Sequence, residues 1–254
     1  MRQTPESHAG FRFYEELNDF LPRGQRKKDL IYSFRGNPSI KDAIEAQNIP
    51  HTEVDLILVN GNPVDFSYKL QDGDRVSVYP VFESFDIGGL KKGGSPPLRK
   101  TSFILDVHLG KLARLLRMTG FDTLYRNDLD DDEIIDTAIS ENRIILTRDI
   151  GILKNSRVKK GYYLRSQKPR EQLKEVITRF QLQSSMRFLS RCISCNGTIA
   201  GVSRKDVEKE LEPGTVSYFN RFFRCADCGK VYWEGSHFER MMDYYRNLES
   251  DLGL

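Results

Sequence analysis

The amino-acid sequence predicts an α/β fold built in three parts, and three observations indicate it. Glycine, proline and serine dominate residues 87–98, strand and helix patterns alternate after that stretch, and two short cysteine pairs follow. The 254 residues are enough for two domains and a small module, and the 39% hydrophobic and 30% charged residues are typical of a folded chain. We therefore expect three domains and a linker, with boundaries at 1–87, 88–100 (the linker), 101–185 and 186–254.

The composition also argues against two classes of protein. No apolar run approaches the roughly 20 residues that span a bilayer, and residues 1–10 lack the apolar core of a secretory signal. We therefore expect a cytoplasmic protein with no membrane partner. The net charge of +3 allows an RNA partner without requiring one.

The part before the linker predicts a strand that runs into a short helix over residues 11–20, a strand at 29–35 and a last strand that ends at residue 80. Ser39 is the expected N-cap of a second short helix. Residues 54–59 form an apolar run that ends at Asn60-Gly61, a strong hairpin turn. The order of these pieces, and the segment VNGNPVDFSYKLQDGDRVSVYPVFE, resemble the ubiquitin-like β-grasp of small sulfur-carrier proteins over residues 10–87. Such carriers need a free terminal Gly-Gly, whereas Gly88-Gly89 is internal here. We therefore expect a β-grasp domain that either docks a protein partner or aids folding, and cleavage after Gly89 would restore the carrier alternative.

The part after the linker predicts an open, parallel α/β sheet, because short apolar strands alternate with amphipathic helices. The first predicted helix ends at Gly120, a suitable C-cap. The predicted strands are residues 102–106, 122–126, 143–147 and 162–164, and the predicted helices are residues 109–118, 131–141 and 169–182.

Acidic side chains gather where ligands bind in such a sheet, at the carboxyl ends of its strands. Asp106 ends the first strand and Asp149 follows the third. Asp122 begins the second strand and is excluded, because it lies at the opposite edge. A further acidic run, from Asp128 to Glu133, lies between the second strand and the helix after it.

Helical phase selects within this acidic run. Asp130 and Glu133 fit a capping box, so we expect Asp130 to be the N-cap. Asp131 precedes Ile134 and Ile135 by three and four residues, which predicts that it shares their inward face. The candidate catalytic acids, with the last two as reserves, are Asp106, Asp131, Asp149, Asp132 and Asp128.

Carboxylates that converge repel one another unless a cation lies among them, and hard oxygen ligands favour Mg²⁺ or Mn²⁺. Such an ion lowers the pKa of a bound water and neutralises charge on a phosphodiester. Acids at a helix start are also favoured as caps, which explains residues 130–133 without a metal but not Asp106 and Asp149. The sequence therefore favours a metal site formed by Asp106, Asp131 and Asp149.

Basic residues lie beside these acids. Lys111, Arg114 and Arg117 recur at intervals of three on one side of the first helix, and Arg148 precedes Asp149. Such side chains hold phosphates, so we expect them to position an RNA backbone. A solvated helix face explains the three helical residues equally well.

Four cysteines form two C-x2-C pairs, each followed closely by glycine. Two residues between cysteines let one turn direct both sulfurs at one ion, and glycine lets the backbone take positive φ as the turn closes. Disulfides are disfavoured, because no secretory signal is visible and the chain is large enough to fold without them. We expect a structural Zn²⁺, with a helix at 203–211 between the pairs, and its ligands are Cys192, Cys195, Cys225 and Cys228.

Aromatic residues surround the second cysteine pair. They either stack on unpaired bases or pack around the metal site, and the small core of a zinc ribbon favours packing. Arg221 and Arg224, near Tyr218, strengthen the expectation of RNA binding. We interpret His108 and His237 as structural residues rather than as a catalytic group and a zinc ligand. The aromatic residues are Phe222, Phe223, Tyr232, Trp233 and Phe238.

Five ordered segments, FILDVHLGKLARLLRMTGFDTLYRND, DDDEII, RIILTRD, SRCISCNG and FRCADCGKVYWEGSHFERM, resemble the Mut-seven C-terminal RNase domain family over residues 101–243. That family has a PIN-like nuclease fold with an appended zinc ribbon. The resemblance implies metal-dependent hydrolysis of RNA, with Asp106, Asp131 and Asp149 as its acids and the four cysteines as zinc ligands.

We therefore expect a ribonuclease that cleaves single-stranded RNA through a Mg²⁺ or Mn²⁺ site, with a zinc ribbon that assists RNA binding. Two alternatives stay open. The first is a non-catalytic, zinc-ribbon RNA-binding adaptor, and the second is a docking or sulfur-carrier-like factor built around the β-grasp domain.

Overall fold

The structure, a computed structural model, describes residues 6–80 and 101–254, so the predicted linker and its Gly88-Gly89 pair lie outside the described residues. The described residues divide into two compact units. Residues 6–80 and 147–163 form one, here called the N-terminal unit. Residues 101–146 and 164–254 form the other, the C-terminal unit. The domain boundaries expected from the sequence stay predictions.

The N-terminal unit contains a mixed five-stranded sheet with strand order β2-β1-β5-β3-β4. β1 runs parallel to β5, and every other neighbouring pair is antiparallel. This is the β-grasp arrangement, as the sequence predicts. Its elements are β1 (Ser7–Phe13), β2 (Asp29–Phe34), α1 (Ile40–Ala46), β3 (Val54–Val59), β4 (Asn62–Val64) and β5 (Arg75–Pro80).

Local sequence explains how these elements begin and turn. Ser39 caps α1, because its hydroxyl accepts a hydrogen bond from the Asp42 N–H at 3.1 Å while the Asp42 carboxylate accepts one from the Ser39 N–H. Asn60 and Gly61 both have positive φ, of 51° and 84°. That backbone conformation suits a two-residue hairpin loop, which here joins β3 to β4.

The C-terminal unit is organised around parallel strands. β6 pairs with β7 on one side and with β8 on the other, both in parallel register. Phe103, Ile104 and Leu105 of β6 are fully buried, which is typical of a central parallel strand. The elements are β6 (Ser102–Leu105), α2 (Gly110–Met118), β7 (Asp122–Leu124), α3 (Asp131–Ser140) and β8 (Ile144–Thr147).

The chain then contributes α4 (Ile150–Lys154) and β9 (Gly161–Tyr163) to the N-terminal unit. Ile150 and Tyr163 pack against the β-grasp core. The Tyr163 N–H donates to the Glu53 carboxylate at 2.6 Å, and the Lys154 ammonium donates to the side-chain oxygen of Asn48 at 3.1 Å. The β-grasp core therefore includes residues from beyond its own sequence range.

The rest of the C-terminal unit consists of a long helix, a three-stranded antiparallel sheet and a final helix. The sheet has the order β10-β11-β12 and the fold of a zinc ribbon. The helix expected at 203–211 is shorter in the structure and covers only Arg204–Val207. A second short helix follows it and has Pro213 at its first position, where the missing proline N–H costs no hydrogen bond. The elements are α5 (Pro169–Arg179), β10 (Ile199–Val202), α6 (Arg204–Val207), α7 (Pro213–Tyr218), β11 (Phe222–Cys225), β12 (Val231–Trp233) and α8 (Ser236–Asp251).

Across the described ranges 6–80 and 101–254, none of the helices combines the length and the apolar character needed to cross a bilayer.

Candidate functional site

The four cysteines converge on one point of the C-terminal unit. Their sulfur atoms all lie within 4.8 Å of one another, and none forms a disulfide. The Sγ atoms of Cys192 and Cys228 are 3.7 Å apart, and those of Cys195 and Cys225 are 3.4 Å apart. A tetrahedral zinc bound at about 2.3 Å separates its sulfurs by roughly 3.8 Å, so the four side chains could hold one metal ion.

The two cysteine turns close in different ways. In the second, Gly229 has φ of +72° and its N–H donates to the Cys225 carbonyl at 3.1 Å, as the sequence predicts. In the first, Asn196 rather than Gly197 takes the positive φ, of 74°. Gly197 is needed for a different reason, because a Cβ there would lie 2.6 Å from the Asp227 carboxylate.

Asn196 also attaches the first cysteine turn to β7. Its side-chain oxygen accepts a hydrogen bond from the Thr123 N–H at 2.8 Å, and its amide donates to Asp122 at 2.9 Å. Asp122 in turn pairs with Arg143 at 2.7 Å and with Arg191 at 3.4 Å. These contacts confirm that Asp122 is a structural residue, as its place at the start of the strand predicts.

Electrostatics in this network favour the charged carboxylate. Burial by itself would raise the pKa of Asp122, but hydrogen bonds from Arg143 and Asn196, with the charges of Arg143 and Arg191, outweigh it and lower the pKa. Asp122 is therefore ionised at neutral pH and joins the sheet to the ribbon as an anion.

Arg117 differs from the sequence expectation. It is buried, with 4% of its surface exposed, and does not share an open face with Lys111 and Arg114. Its Nε donates to the Thr123 carbonyl at 3.0 Å, and its Nη1 donates to the Ser194 carbonyl at 2.9 Å. Arg117 is thus an internal brace rather than an RNA-binding residue, because its donors are already directed at backbone carbonyls.

We call this connected set the ribbon junction, because it fastens the cysteine cluster to the sheet. Its members are Arg117, Asp122, Arg143, Arg191 and Asn196.

Asp106 lies at the carboxyl end of β6, beside the end of β8. Its backbone N–H donates to the Leu146 carbonyl at 3.2 Å, which extends the pairing of the two strands. Its side chain is buried, at 6% exposure, and caps the short turn Val107–Leu109 by accepting from the His108 N–H at 3.2 Å. The chain therefore holds a carboxylate at the sheet edge where ligands bind in parallel α/β folds.

Tyr125 supports the turn that follows Asp106. Its hydroxyl donates to the Val107 carbonyl at 2.9 Å. The same hydroxyl would lie 2.6 Å from a Cβ at Gly110, so only glycine lets the ring approach the start of α2. Sequence analysis missed this pair. An aromatic residue directly after β7 and a glycine at the start of α2 are the signals that could have indicated it.

The acidic run at the start of α3 has mixed roles. Asp130 is the N-cap, and its carboxylate accepts from the Glu133 N–H at 2.8 Å, which confirms the predicted capping box. Asp128, one of the reserves, forms an ion pair with Arg126 at 2.8 Å. Asp131 and Asp132 are both exposed, so the expectation that Asp131 shares the buried face of α3 is wrong.

Asp149 and Arg148 belong to the N-terminal unit. Asp149 is exposed and caps α4, because its carboxylate accepts from the Gly151 N–H at 2.6 Å. Arg148 is half-buried, with its guanidinium carbon 6.0 Å from the centre of the Tyr163 ring. Among the residues that the structure describes, only the four cysteines form a group of three or more metal-binding side chains with closely spaced ligand atoms.

Lys111 and Arg114 are exposed on α2, as expected, and face a groove of about 510 Å³ beside the start of α5. Lys168, Arg170 and Glu171 line the same groove, which we call the basic groove because its cations outnumber this one acid. The sequence did not indicate Lys168 and Arg170, because only the packing of α2 against α5 brings them near Arg114.

Two protein-family models match the chain, one over each of its main parts. A family model described as the Mut7-C RNAse domain matches residues 101–245, and one described as Mut7-C ubiquitin matches residues 6–86. No curated protein matches the chain. A solved structure of SAMP1 from Haloferax volcanii is similar to 31% of this chain and to all of its own, with 13% identity and a TM-score of 0.24. Because the first model covers more than half of the sequence, the chain belongs to the Mut7-C RNase domain family, with a Mut7-C ubiquitin-like domain before the RNase domain.

Proposed function

We propose that this protein hydrolyses single-stranded RNA at the carboxyl edge of the parallel strands, with Mg²⁺ or Mn²⁺ held there by Asp106 and Asp131. The position of Asp106 is the observation that carries the proposal. Asp106 directly follows the central strand β6, at the edge where parallel α/β sheets bind ligands, and carboxylate oxygens are hard ligands of the kind that Mg²⁺ and Mn²⁺ prefer.

The available side chains suit such an ion. Mg²⁺ usually keeps several waters and binds through one or two carboxylates together with phosphate oxygens, so a closed cage of protein ligands is unnecessary. Asp106 and one exposed acid at the start of α3, Asp131 or its reserve Asp132, supply that number. When bound, the ion would lower the pKa of a water and neutralise charge on the phosphate.

The remaining residues position the substrate. Lys111 and Arg114 lie on α2, which begins four residues after Asp106, and hold phosphates that flank the cleaved bond. Tyr125 keeps the turn after Asp106 in place. Asp149 stays the third candidate acid on the sequence argument alone, because it follows the third predicted strand of the α/β sheet. Arg148 likewise stays a candidate phosphate ligand on the sequence argument alone.

We also propose that the four cysteines bind one structural Zn²⁺. Four thiolates fill a tetrahedral shell and leave no position for a reacting water. The ribbon junction then transmits the rigidity of the metal site to α2 and β7, the elements beside the proposed catalytic edge. The N-terminal unit is proposed to dock a protein partner.

Cleavage of labelled single-stranded RNA by the full-length protein tests the catalytic proposal. We expect cleavage with Mg²⁺ or Mn²⁺, none with the metal chelated, and a loss of roughly 100-fold or more in Asp106→Asn. Asparagine is as good a cap as aspartate, so this variant keeps the turn after β6. Asp243→Asn, an exposed acid on α8, is the matched control and should keep full activity. Wild-type protein that binds RNA but never cleaves it would instead support the adaptor alternative.

A further inference from the structure

A second groove, of about 540 Å³, lies between α2 and the ribbon. This volume falls within the range of about 300–1,000 Å³ that is usual for ligand sites. Its walls combine half-buried aromatic rings with aliphatic side chains such as Leu115, Met118 and Met241, and we call it the ribbon groove. The residues that matter below are Phe219, Trp233, Phe238, Lys230, His237 and Arg114.

The groove presents ring faces together with groups that can bind polar edges. Phe219 and the Trp233 indole both lie close to Gly235, where an added Cβ would be 3.3 Å from the Phe219 ring and 3.0 Å from the indole nitrogen. Within the part of the chain that the structure describes, the indole N–H donates to no protein atom, and His237 is exposed at the rim. Aromatic ring faces and the indole N–H donor therefore lie together in the ribbon groove.

The charges around the groove have one sign. Arg114 and Lys230 line it, and none of the described lining residues is acidic. Arg114 also lines the basic groove, so the two grooves meet at this residue. A chain with anionic links and flat aromatic side groups matches this arrangement, because its phosphates can follow the cations while a side group enters between the rings.

We propose that the ribbon groove binds an unpaired nucleobase of an RNA strand whose phosphates lie along Lys111, Arg114 and Lys168. The proposal rests on RNA being the substrate class, as inferred above. Bases stack on aromatic side chains whatever their sequence, and single-stranded RNA exposes such faces whereas a duplex hides them. The ribbon groove thus selects unpaired RNA and holds it beside α2.

A protein segment is the competing occupant. An apolar segment would fill the aromatic walls but would leave Arg114 and Lys230 without a counter-charge, whereas an RNA strand supplies both partners. The observed charges therefore favour RNA.

The test uses the fluorescence of Trp233, which is the single tryptophan of the chain and lies in the groove. Full-length Asp106→Asn is titrated with a single-stranded oligouridylate, with a duplex RNA of equal length and with inorganic phosphate, while anisotropy of a labelled RNA reports total binding. We expect saturable quenching by the single strand only. Single-stranded RNA that binds without changing the emission would overturn the proposal.

Two variants separate a bound base from general affinity. Phe219→Ala removes one wall and Gly235→Ala adds a methyl group against the indole, and each should weaken single-strand binding roughly 5- to 100-fold. Gly201→Ala, in the same ribbon with nothing within 4 Å of the added methyl, is the control and should bind normally. Unchanged RNA affinity in a folded Gly235→Ala protein would overturn the proposal.

The outcomes also distinguish this proposal from the catalytic one. Quenching by single-stranded RNA in a wild-type protein that never cleaves would support the groove and overturn the nuclease. Normal wild-type cleavage, with normal RNA affinity in Gly235→Ala, would support the nuclease and overturn the groove.

Discussion

The ribbon junction and the carboxyl edge of the sheet both contain acidic and basic side chains. At the junction these side chains bind one another or the backbone, whereas beside the carboxyl edge the basic side chains are exposed. At the junction, Asp122 meets two arginines and Arg117 donates to backbone carbonyls. Beside the carboxyl edge, Lys111 and Arg114 are exposed, and no described acid forms an ion pair with either. A charged group with its partners inside the protein serves the fold, and one directed at solvent is available to a ligand.

The largest expected effect comes from removing the metal ligands. Cys225→Ser should lose the bound zinc and unfold the ribbon, because structural zinc supplies about 10 kcal/mol or more in small zinc domains. If the junction couples the two regions, the amide of Thr123, which donates to Asn196, should lose protection from hydrogen exchange. Metal analysis and exchange mass spectrometry measure both.

Ala226→Ser, in the same turn, is the control and should keep its zinc. Full protection at Thr123 in zinc-free protein would show that the sheet is independent of the ribbon.

Two arginines on one helix give the sharpest contrast. Arg117→Met should lower the free energy of unfolding by about 3 kcal/mol, because the Thr123 and Ser194 carbonyls lose buried, charged donors. Arg114→Gln should leave the denaturation midpoint within about 0.5 kcal/mol of wild type, since exposed positions contribute little, but should weaken RNA binding. Denaturant unfolding and RNA anisotropy measure the pair. Equal stability of the two variants would contradict the burial of Arg117.

The burial of Arg117 could not be predicted from the sequence. Polarity and spacing placed Lys111, Arg114 and Arg117 together on one helix face. A helical pattern separates polar from apolar side chains, but it does not show whether a polar side chain faces solvent or a buried backbone carbonyl. The carbonyl partners of Arg117 in the first cysteine turn lie 76 and 77 positions away along the chain. Nothing local in the sequence predicts a contact of that separation.

Features with local causes were predictable. The N-cap at Ser39, the capping box at Asp130, the Asn60-Gly61 turn and the cysteine spacing all depend on residues a few positions apart, and the structure contains each of them. Lys168 and Arg170 were missed for the same reason as the partners of Arg117, because two separate helices form the basic groove. Helical phase does not distinguish Asp131 from Asp132, because both lie in the first, exposed turn of α3, so the choice of Asp131 stays a prediction.

A smaller effect should follow acidification. The pKa of Asp122 is lowered in the folded protein, so its ion pairs stabilise the fold above the unfolded-state pKa of about 3.9, and this stability is lost as pH falls through the folded-state pKa. The wild type should therefore lose stability below about pH 4 more steeply than Asp122→Asn, which lacks this ionisation. Denaturant midpoints between neutral pH and pH 3 measure the slope. If the stabilities of the two proteins fall in parallel with pH, the ion pairs of Asp122 do not stabilise the fold.

The smallest change in stability is expected at two neighbouring aspartates. One should affect only the stability of the fold and the other only RNA cleavage. Asp130→Ala should lower stability by about 1 kcal/mol, because it removes the cap that accepts from the Glu133 N–H, and should leave RNA cleavage near the wild-type rate. Asp131→Asn should do the reverse, with an unchanged melting temperature and a large loss of cleavage, because its exposed carboxylate is proposed to hold the ion. If Asp132→Asn loses activity and Asp131→Asn keeps it, the ligand lies one residue further along the exposed turn. If neither variant loses activity, the start of α3 has only the capping role that Asp130 and Glu133 already explain. The acids of this turn would then serve the fold, as the charged residues of the ribbon junction do.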